Sequence, residues 1–510
     1  MAYAEPIYAP GVVEKVVHTD LRKSSIGLPG VLMQSIAQIS PTLGIFYTIA
    51  FNTGQAGRSA PLTYLAAFVV CLIIAVPMTG LARHLPSAGG LYTYSSRGLH
   101  PYIGFLVAWG FILAEPIVAP LLYLIFGNEL AANLNSHFGW PLWLWAPFAV
   151  VAGLIVWFLT YRGIRLSTRT GVALGTFEIV VFVALAITLI IAAGGHNTLS
   201  VFAPNTGNAK GWGSVFPGMI YAILAFIGFE AAAPLAEEAK DPRRTIPRAV
   251  ILSALLIGLF YLFCYYAATV YFGPDKMADP KNGFALLNNN DPWSAMAQAV
   301  WGPGLIIVIL AVLNSAIANS NAGANAATRV GFSLARIGLL PRLLARIHPR
   351  FKTPYWAVNV QAVGGIILAV ALGTIAGGPL PAFALLGTLA GIIVVVIYIL
   401  TNLSNMVYYL REQRSEFNIV WNAIVPIVGS LIFLPALAAA LGIDFANLGI
   451  GALSPPSNLA PLIIDIWMVV GIALLVYFAA SKPDRIAQTG RVFLDDAEPA
   501  RAREEPSVRT

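Results

Sequence analysis

The side chains in this chain best suited to chemistry are carboxylates in apolar surroundings. Phe226-Ile227-Gly228-Phe229-Glu230 sets an ionisable acid two residues after a helix-loosening glycine, and the charged run Glu237-Glu238-Ala239-Lys240-Asp241-Pro242-Arg243-Arg244 closes the stretch soon after. Glu115, Glu178 and Asp465 lie in comparably apolar runs. An acid kept from water is costly, and its usual work is handling protons, ions or amines. Metal and covalent chemistry have no such constellation: the 6 histidines are scattered near loops and helix ends, with no HExxH, no paired cysteines and no recognisable nucleophile with its base. No metal, no organic cofactor and no enzyme activity are expected. A G-x-x-x-x-G-K-[ST] phosphate loop is missing as well, so any transport would be secondary, by proton symport or by exchange.

The elements that hold these acids must be membrane helices. With 58% hydrophobic and only 10% charged residues, 510 residues of soluble protein would leave too much apolar surface in water. Apolar runs near the roughly 20 residues that a bilayer-spanning helix needs occur at 27–50, 62–82, 101–127, 141–160, 171–193, 214–235, 248–272, 296–322, 355–376, 381–405, 418–441 and 461–480. If the spans alternate from a cytoplasmic N-terminus, all but four of the 30 Lys and Arg fall on the inside, the exceptions being Arg58, Lys210, Lys276 and Lys281. Such asymmetry is what the positive-inside bias demands, and it places both termini in the cytoplasm of a multi-pass cell-membrane protein. The +7 net charge is thus spread over seven loops and tails, with no aromatic-interleaved basic groove, and nucleic acid is not an expected partner.

Several segments complete the layout. Residues 1–26 lack the charged start, apolar core and cleavage site of a signal peptide, and 481–510 form a mixed-charge tail with no apolar period, expected to be a mobile cytoplasmic extension. Cys71 and Cys264 fall inside spans and are expected as buried thiols. Residues 271–292 form a polar external loop. Residues 329–354 are basic and internal, and the period of Leu339, Leu340, Leu343, Leu344 and Ile347 predicts an amphipathic connecting helix along the membrane face.

Three ordered motifs carry a family resemblance. Phe-x-Gly-Phe-Glu with its tail from Glu237 to Arg248, Pro86-Ser87-Ala88-Gly89-Gly90-Leu91-Tyr92-Thr93-Tyr94 with Gly98 and Gly104, and Asn325 through Ala335-Arg336-Ile337-Gly338-Leu339-Leu340-Pro341 together resemble the amino acid–polyamine–organocation (APC) superfamily. The resemblance implies an all-α, leucine-transporter-like fold of 12 transmembrane helices. In it, spans one to five (27–193) and six to ten (214–405) are inverted repeats, two further helices lie within 418–480, and helices one and six are broken at mid-membrane. Broken helices expose backbone groups that cannot stay unpaired in hydrocarbon, so they line the substrate cavity.

The sequence offers a matching pair of breaks. Ser40-Pro41-Thr42-Leu43-Gly44 puts a proline and a glycine inside span one, and Gly228 sits in the corresponding place in span six. Pro41 alone would fit an ordinary kink equally well. Amides after the first break would suit a carboxylate, and carbonyls around Phe226, Ile227, Gly228 and Phe229 would suit an amine. Many relatives carry a compact Gly-Ser/Thr-Gly-Ile-Phe where this chain has Pro41-Thr42-Leu43-Gly44-Ile45-Phe46. That departure keeps a polyamine or other organic cation open beside an amino acid as cargo.

Within this resemblance Glu230 is the gating or substrate-sensing acid. Glu178 aligns with a position where some proton-coupled relatives place a lysine and others a sodium ion; there it either loads and releases a coupling proton or makes a structural hydrogen bond. Glu115, followed by Pro116, faces the cavity or supports a local kink, while Asp465 suits an interfacial role. Asn314, Asn321 and Asn325 share one helix face, as packing glue first and cavity lining second. The function implied is secondary transport of amino acids or related amines by alternating access, coupled to protons; a transport-dead membrane sensor of such a solute is the rival from another class.

Overall fold

A computed structural model of the chain describes residues 21, 23–204, 212–277, 279, 283–284, 291–440, 443 and 455–493. The expectations for the N-terminal segment and for most of the C-terminal tail lie outside them. The chain forms α1 (Leu28–Ile39), α2 (Pro41–Ala56), α3 (Ala60–His84), α4 (Leu91–Gly98), α5 (Pro101–Phe138), α6 (Trp145–Tyr161), α7 (Ile164–Ala193) and α8 (Trp212–Leu224). It continues with α9 (Pro242–Phe272), α10 (Pro292–Trp301), α11 (Leu305–Arg336), α12 (Tyr355–Ile375), α13 (Pro379–Arg411), α14 (Val425–Ala440), α15 (Ala460–Ser481) and α16 (Pro483–Ala487). Among the described residues there is no strand, only one isolated bridge between Ile26 and Ala239.

Among those residues, nine helical stretches are long and apolar enough to cross a membrane. They contain α3, α5, α6, α7, α9, α10 with α11, α12, α13 and α15. The three other predicted runs are divided or short, each for a local reason. Run 27–50 splits between α1 and α2, because Ser40 turns left-handed (φ 61°) and Pro41 has no N–H to continue the ladder. Run 214–235 gives α8, then a turn and a 3-10 segment Phe229–Leu235. Run 418–441 is a π turn, Val420–Ile424, leading into α14, with a shorter apolar stretch Val420–Pro435.

Two predicted boundaries need correction. The eighth run does not fade out at 322 but continues as α11 to Arg336, since the cation met on the way, Arg329, is neutralised inside the protein. The amphipathic helix predicted from the leucine period near 339–347 does not form: α11 stops before Gly338 (φ 79°), Pro341 has no N–H to offer, and only a 3-10 turn follows at Arg342–Ala345.

The packing places the interrupted helices at the centre. α9 lies against α1, α3 and α7, α11 against α5 and α7, α2 against α8, and α1 against the 3-10 segment Phe229–Leu235. Outside this cradle, large apolar side chains such as Ile155, Ile191, Ile367 and Val469 are exposed. A protein with that surface has lipid as its natural solvent. Cys71 and Cys264 are buried free thiols.

Candidate functional site

The two interruptions meet backbone to backbone. A Cβ added at Gly228 (φ 127°) would stand 2.7 Å from the carbonyl carbon of Gln38 and from the amide nitrogen of Ile39, so only glycine lets the second break close on the first. Tyr261, from α9, reaches both: its hydroxyl donates to the Ala225 carbonyl at 3.0 Å and lies 3.5 Å from that of Ile39. One hydroxyl proton cannot serve two acceptors, which leaves the Ile39 carbonyl the weakly held one. Gly44 is glycine for a related reason, since any Cβ there would overlap the Tyr261 hydroxyl.

Three acids bond residues at or beside this contact. Glu178, fully buried on α7, accepts from the Thr42 amide at 3.3 Å through one oxygen, and its other oxygen has no partner. Next to the break, the Ser40 and Ser315 hydroxyls share a hydrogen bond of 3.0 Å, tying α11 to the chain between α1 and α2. Glu230 folds back on its own turn. It accepts from the Gly228 amide at 2.9 Å and from the hydroxyl of Tyr398 on α13. Glu115, on α5, accepts from the Gln38 side-chain amide at 3.4 Å, while the Gln38 amide oxygen is buried without a partner. The Thr42 hydroxyl is likewise unpaired.

The remaining sequence-derived candidates divide between the break and its supports. Leu43 and Phe226 are buried, Phe226 edge-on to Tyr261 with ring centroids 5.1 Å apart, and Ile227 is half-buried. Phe229 stands 5.3 Å from the Tyr398 ring and its carbonyl accepts from Ser35. Asn314 donates to the Leu174 carbonyl at 2.8 Å, and Asn321 exchanges hydrogen bonds with Ser167, so both join α11 to α7. Asp465 is exposed on α15.

Three residues at the centre escaped the sequence reading: Gln38, Tyr261 and Tyr398. A neutral polar side chain in a membrane helix looks the same in sequence whether it packs or binds. The only available signal was position: Gln38 lies two residues before the proposed break.

A second polar cluster closes one end of the bundle. Arg329, fully buried on α11, bonds Glu238 through Nε at 2.9 Å and the Asn325 side chain through Nη1 at 3.0 Å. Arg336 holds Glu237 with two hydrogen bonds, of 2.6 and 2.8 Å. Glu237 also accepts from the Ala88 amide at 3.2 Å, and Tyr92 donates to Ser333 at 2.6 Å. The chain before α1 is stitched to the same place, with Ser25 and Ile26 donating to the Glu238 carbonyl and Lys240 to that of Ile26. Three motifs far apart in sequence therefore form one clamp. Arg329, counted from sequence as a loop cation, is fully buried in it, as is its partner Glu238.

Comparison with known proteins gives the family. The profile of the amino acid permease family matches residues 27–481. The chain is 27% identical over 415 residues to the low-affinity putrescine importer PlaP of Escherichia coli K12, covering 79% of this chain and 85% of that one. It is 24% identical over 486 residues to the branched-chain amino acid permease BcaP of Bacillus subtilis, covering 90% and 93%. To the methylthioribose transporter of Bacillus subtilis it is 25% identical over 453 residues, covering 84% and 87%. With the family profile matched over residues 27–481 and transporters as its relatives, this chain is a membrane transporter that belongs to the amino acid permease family, within the APC superfamily.

Proposed function

We propose that this permease is a secondary active transporter that carries an amino acid or related amine across the cytoplasmic membrane by alternating access, driven by protons. In this reading the chain has 12 spans, with repeats at 27–193 and 214–405, two more helices within 418–480, and both termini in the cytoplasm. The observation that carries it is the contact of Gly228 with Gln38 and Ile39, where two interrupted helices bring backbone and side-chain polar groups together at the buried centre. Such groups are tolerated at membrane depth where they line a path for a polar solute. Substrate would bind between residues 40–44 and 226–229, with Glu230 gating. The relatives' named cargoes, putrescine, branched-chain amino acids and methylthioribose, differ too much for family membership to choose among them.

Glu178 supports proton coupling by its place. It is buried against the first amide after the α1–α2 break, with one oxygen unpaired, so gain or loss of a proton there bears directly on the hinge between the two half-helices. The test is uptake of labelled amines and amino acids into proteoliposomes with and without a proton gradient. Glu178→Gln is expected to lose gradient-driven accumulation and keep counterflow. Wild-type accumulation by that variant would remove Glu178 from the mechanism, and the absence of saturable flux for every amine-bearing solute would sink the transporter reading.

A further inference from the structure

We infer that the cavity between the start of α1 and the start of α7 is a binding site for the phosphate headgroup of an anionic phospholipid. The cavity measures about 540 Å³ and lies at the clamp end of the bundle, where Gly27, Pro29 and Gly30 open α1 beside Lys240 and beside Arg165 and Arg169 of α7. These three cations are exposed, and among the described residues no side-chain hydrogen bond or ion pair engages them. No Asp or Glu is found among the described residues that line the cavity. The acids nearest Lys240 in sequence are used elsewhere: Glu237 and Glu238 hold Arg336 and Arg329, and Asp241 lies 3.7 Å from Arg244. Scattered positive charge at a membrane surface is ordinary. Three cations from two distant segments that converge on one concavity without an acid make a site short of an anion.

A phosphate fits this set of donors. It offers several acceptor oxygens, each arginine can bond it through two N–H groups at once, and the lysine adds a compact charge. The start of α1 acts in the same direction: Gly27 gives it no side-chain cap, and a helix N-terminus favours an anion. The rest of α7 selects a lipid over a free phosphate. Beyond the arginines, Phe177, Val180, Ile187 and Ile191 are exposed on the side of α7 that carries Arg169, an apolar strip that runs from the cations toward the far end of the helix. A headgroup held by Arg165, Arg169 and Lys240 lays its acyl chains along that strip, whereas a soluble phosphate leaves it unused. Binding would also brace the fold. The Lys240 amide donates to the Ile26 carbonyl at 2.8 Å, and Ser25 and Ile26 donate to that of Glu238. A phosphate shared by Lys240 and the two arginines therefore ties α7, the helix of Glu178, to the clamp.

The test is thermal unfolding of the purified full-length protein in dodecyl maltoside micelles, because a ligand held only by the folded state raises the midpoint. Three probes are titrated at constant ionic strength: phosphatidylglycerol, phosphatidylcholine with the same acyl chains, and inorganic phosphate. Phosphatidylglycerol is expected to act at a concentration about tenfold or more below phosphatidylcholine, since each cation beside an anionic lipid contributes about fivefold in affinity. Arg165→Gln and Arg169→Gln are each expected to weaken that preference by about fivefold. As a control, Arg83→Gln with Arg244→Gln alters a second basic cavity, whose lining includes Asp241, and is expected to leave the preference unchanged. All four arginines are exposed, so the variants should fold. Equal potency of the two lipids, or an unchanged preference in both Arg165→Gln and Arg169→Gln, overturns the assignment. An equal loss in the control pair would reduce the effect to general surface charge, and inorganic phosphate as potent as phosphatidylglycerol would make the cavity a soluble anion's site; either result overturns it as well.

Discussion

The clamp at the end of the bundle and the break at its centre are both buried clusters of charged and polar groups, yet their bookkeeping is opposite. In the clamp every acid has its base: Glu238 with Arg329 and Glu237 with Arg336, each through paired hydrogen bonds. At the break Glu115, Glu178 and Glu230 have no base among the described residues, and Gln38, Thr42 and Glu178 each keep an unpaired polar atom. The clamp's charges are matched, although Arg336 Nε in it is also buried without a hydrogen-bond partner, and it holds helices together. An uncompensated cluster has polar groups to spare, and the proposed function would place the substrate there.

The largest effect should separate the two clusters directly. Arg329→Ala leaves Glu238 buried without its partner, and losing one member of a buried pair costs about 3–5 kcal/mol. Glu115→Gln takes away an acid that has no ion-pair partner to lose, so the change should lie within about 1 kcal/mol of zero or be stabilising. Thermal unfolding in detergent measures both. Equal losses in the two variants would mean that the break is as fully compensated as the clamp, and the contrast would fail. Replacing both partners, Arg329→Met with Glu238→Leu, should be milder than Arg329→Ala alone, because no orphaned charge remains.

A smaller effect probes the break by shape in place of charge. Gly228→Ala puts a side chain at φ 127° and within 2.7 Å of the Gln38–Ile39 backbone. Forced strain of that kind costs about 1–3 kcal/mol, so the protein should still fold. Uptake should suffer far more than stability, since the two half-helices can no longer close on each other. Uptake at the wild-type rate from a folded Gly228→Ala protein would show that their contact is not used in the transport cycle.

The difference between the clusters also explains what could be read from sequence. The interruptions were legible because backbone constraints are local: Pro41 cannot donate, and Gly228 is the residue type that tolerates a left-handed turn. The acids were legible because a carboxylate in an apolar run is rare enough to stand out. Their surroundings were not. Tyr398 lies 168 positions from the Glu230 it bonds, and Ser315 lies 275 from Ser40, and nothing in either helix marks those residues as central. Arg329 misled in the opposite direction. A cation near the end of an apolar run signals the membrane surface unless a distant acid neutralises it, and Glu238 is 91 positions away. The leucine period at 339–347 was real, but periodicity shows which face a helix would bury and cannot show that Gly338 and Pro341 prevent it from forming.

The smallest predicted effect guards the whole comparison against a simpler explanation, that any ion pair between distant segments holds this protein together. Arg97 and Glu412 form such a pair, joining α4 to the end of α13 by two hydrogen bonds, but their side chains are 39% and 33% exposed. Water already solvates both charges, so Arg97→Ala should cost about 0–1 kcal/mol and lose part of even that at high salt. The sequence separation, 315 positions, exceeds the 91 between Glu238 and Arg329. If span along the chain were what mattered, Arg97→Ala would therefore be the more damaging change. A loss at Arg97 equal to that at Arg329 would make connectivity the cause of stability and deprive burial, the property on which clamp and break are contrasted, of its meaning.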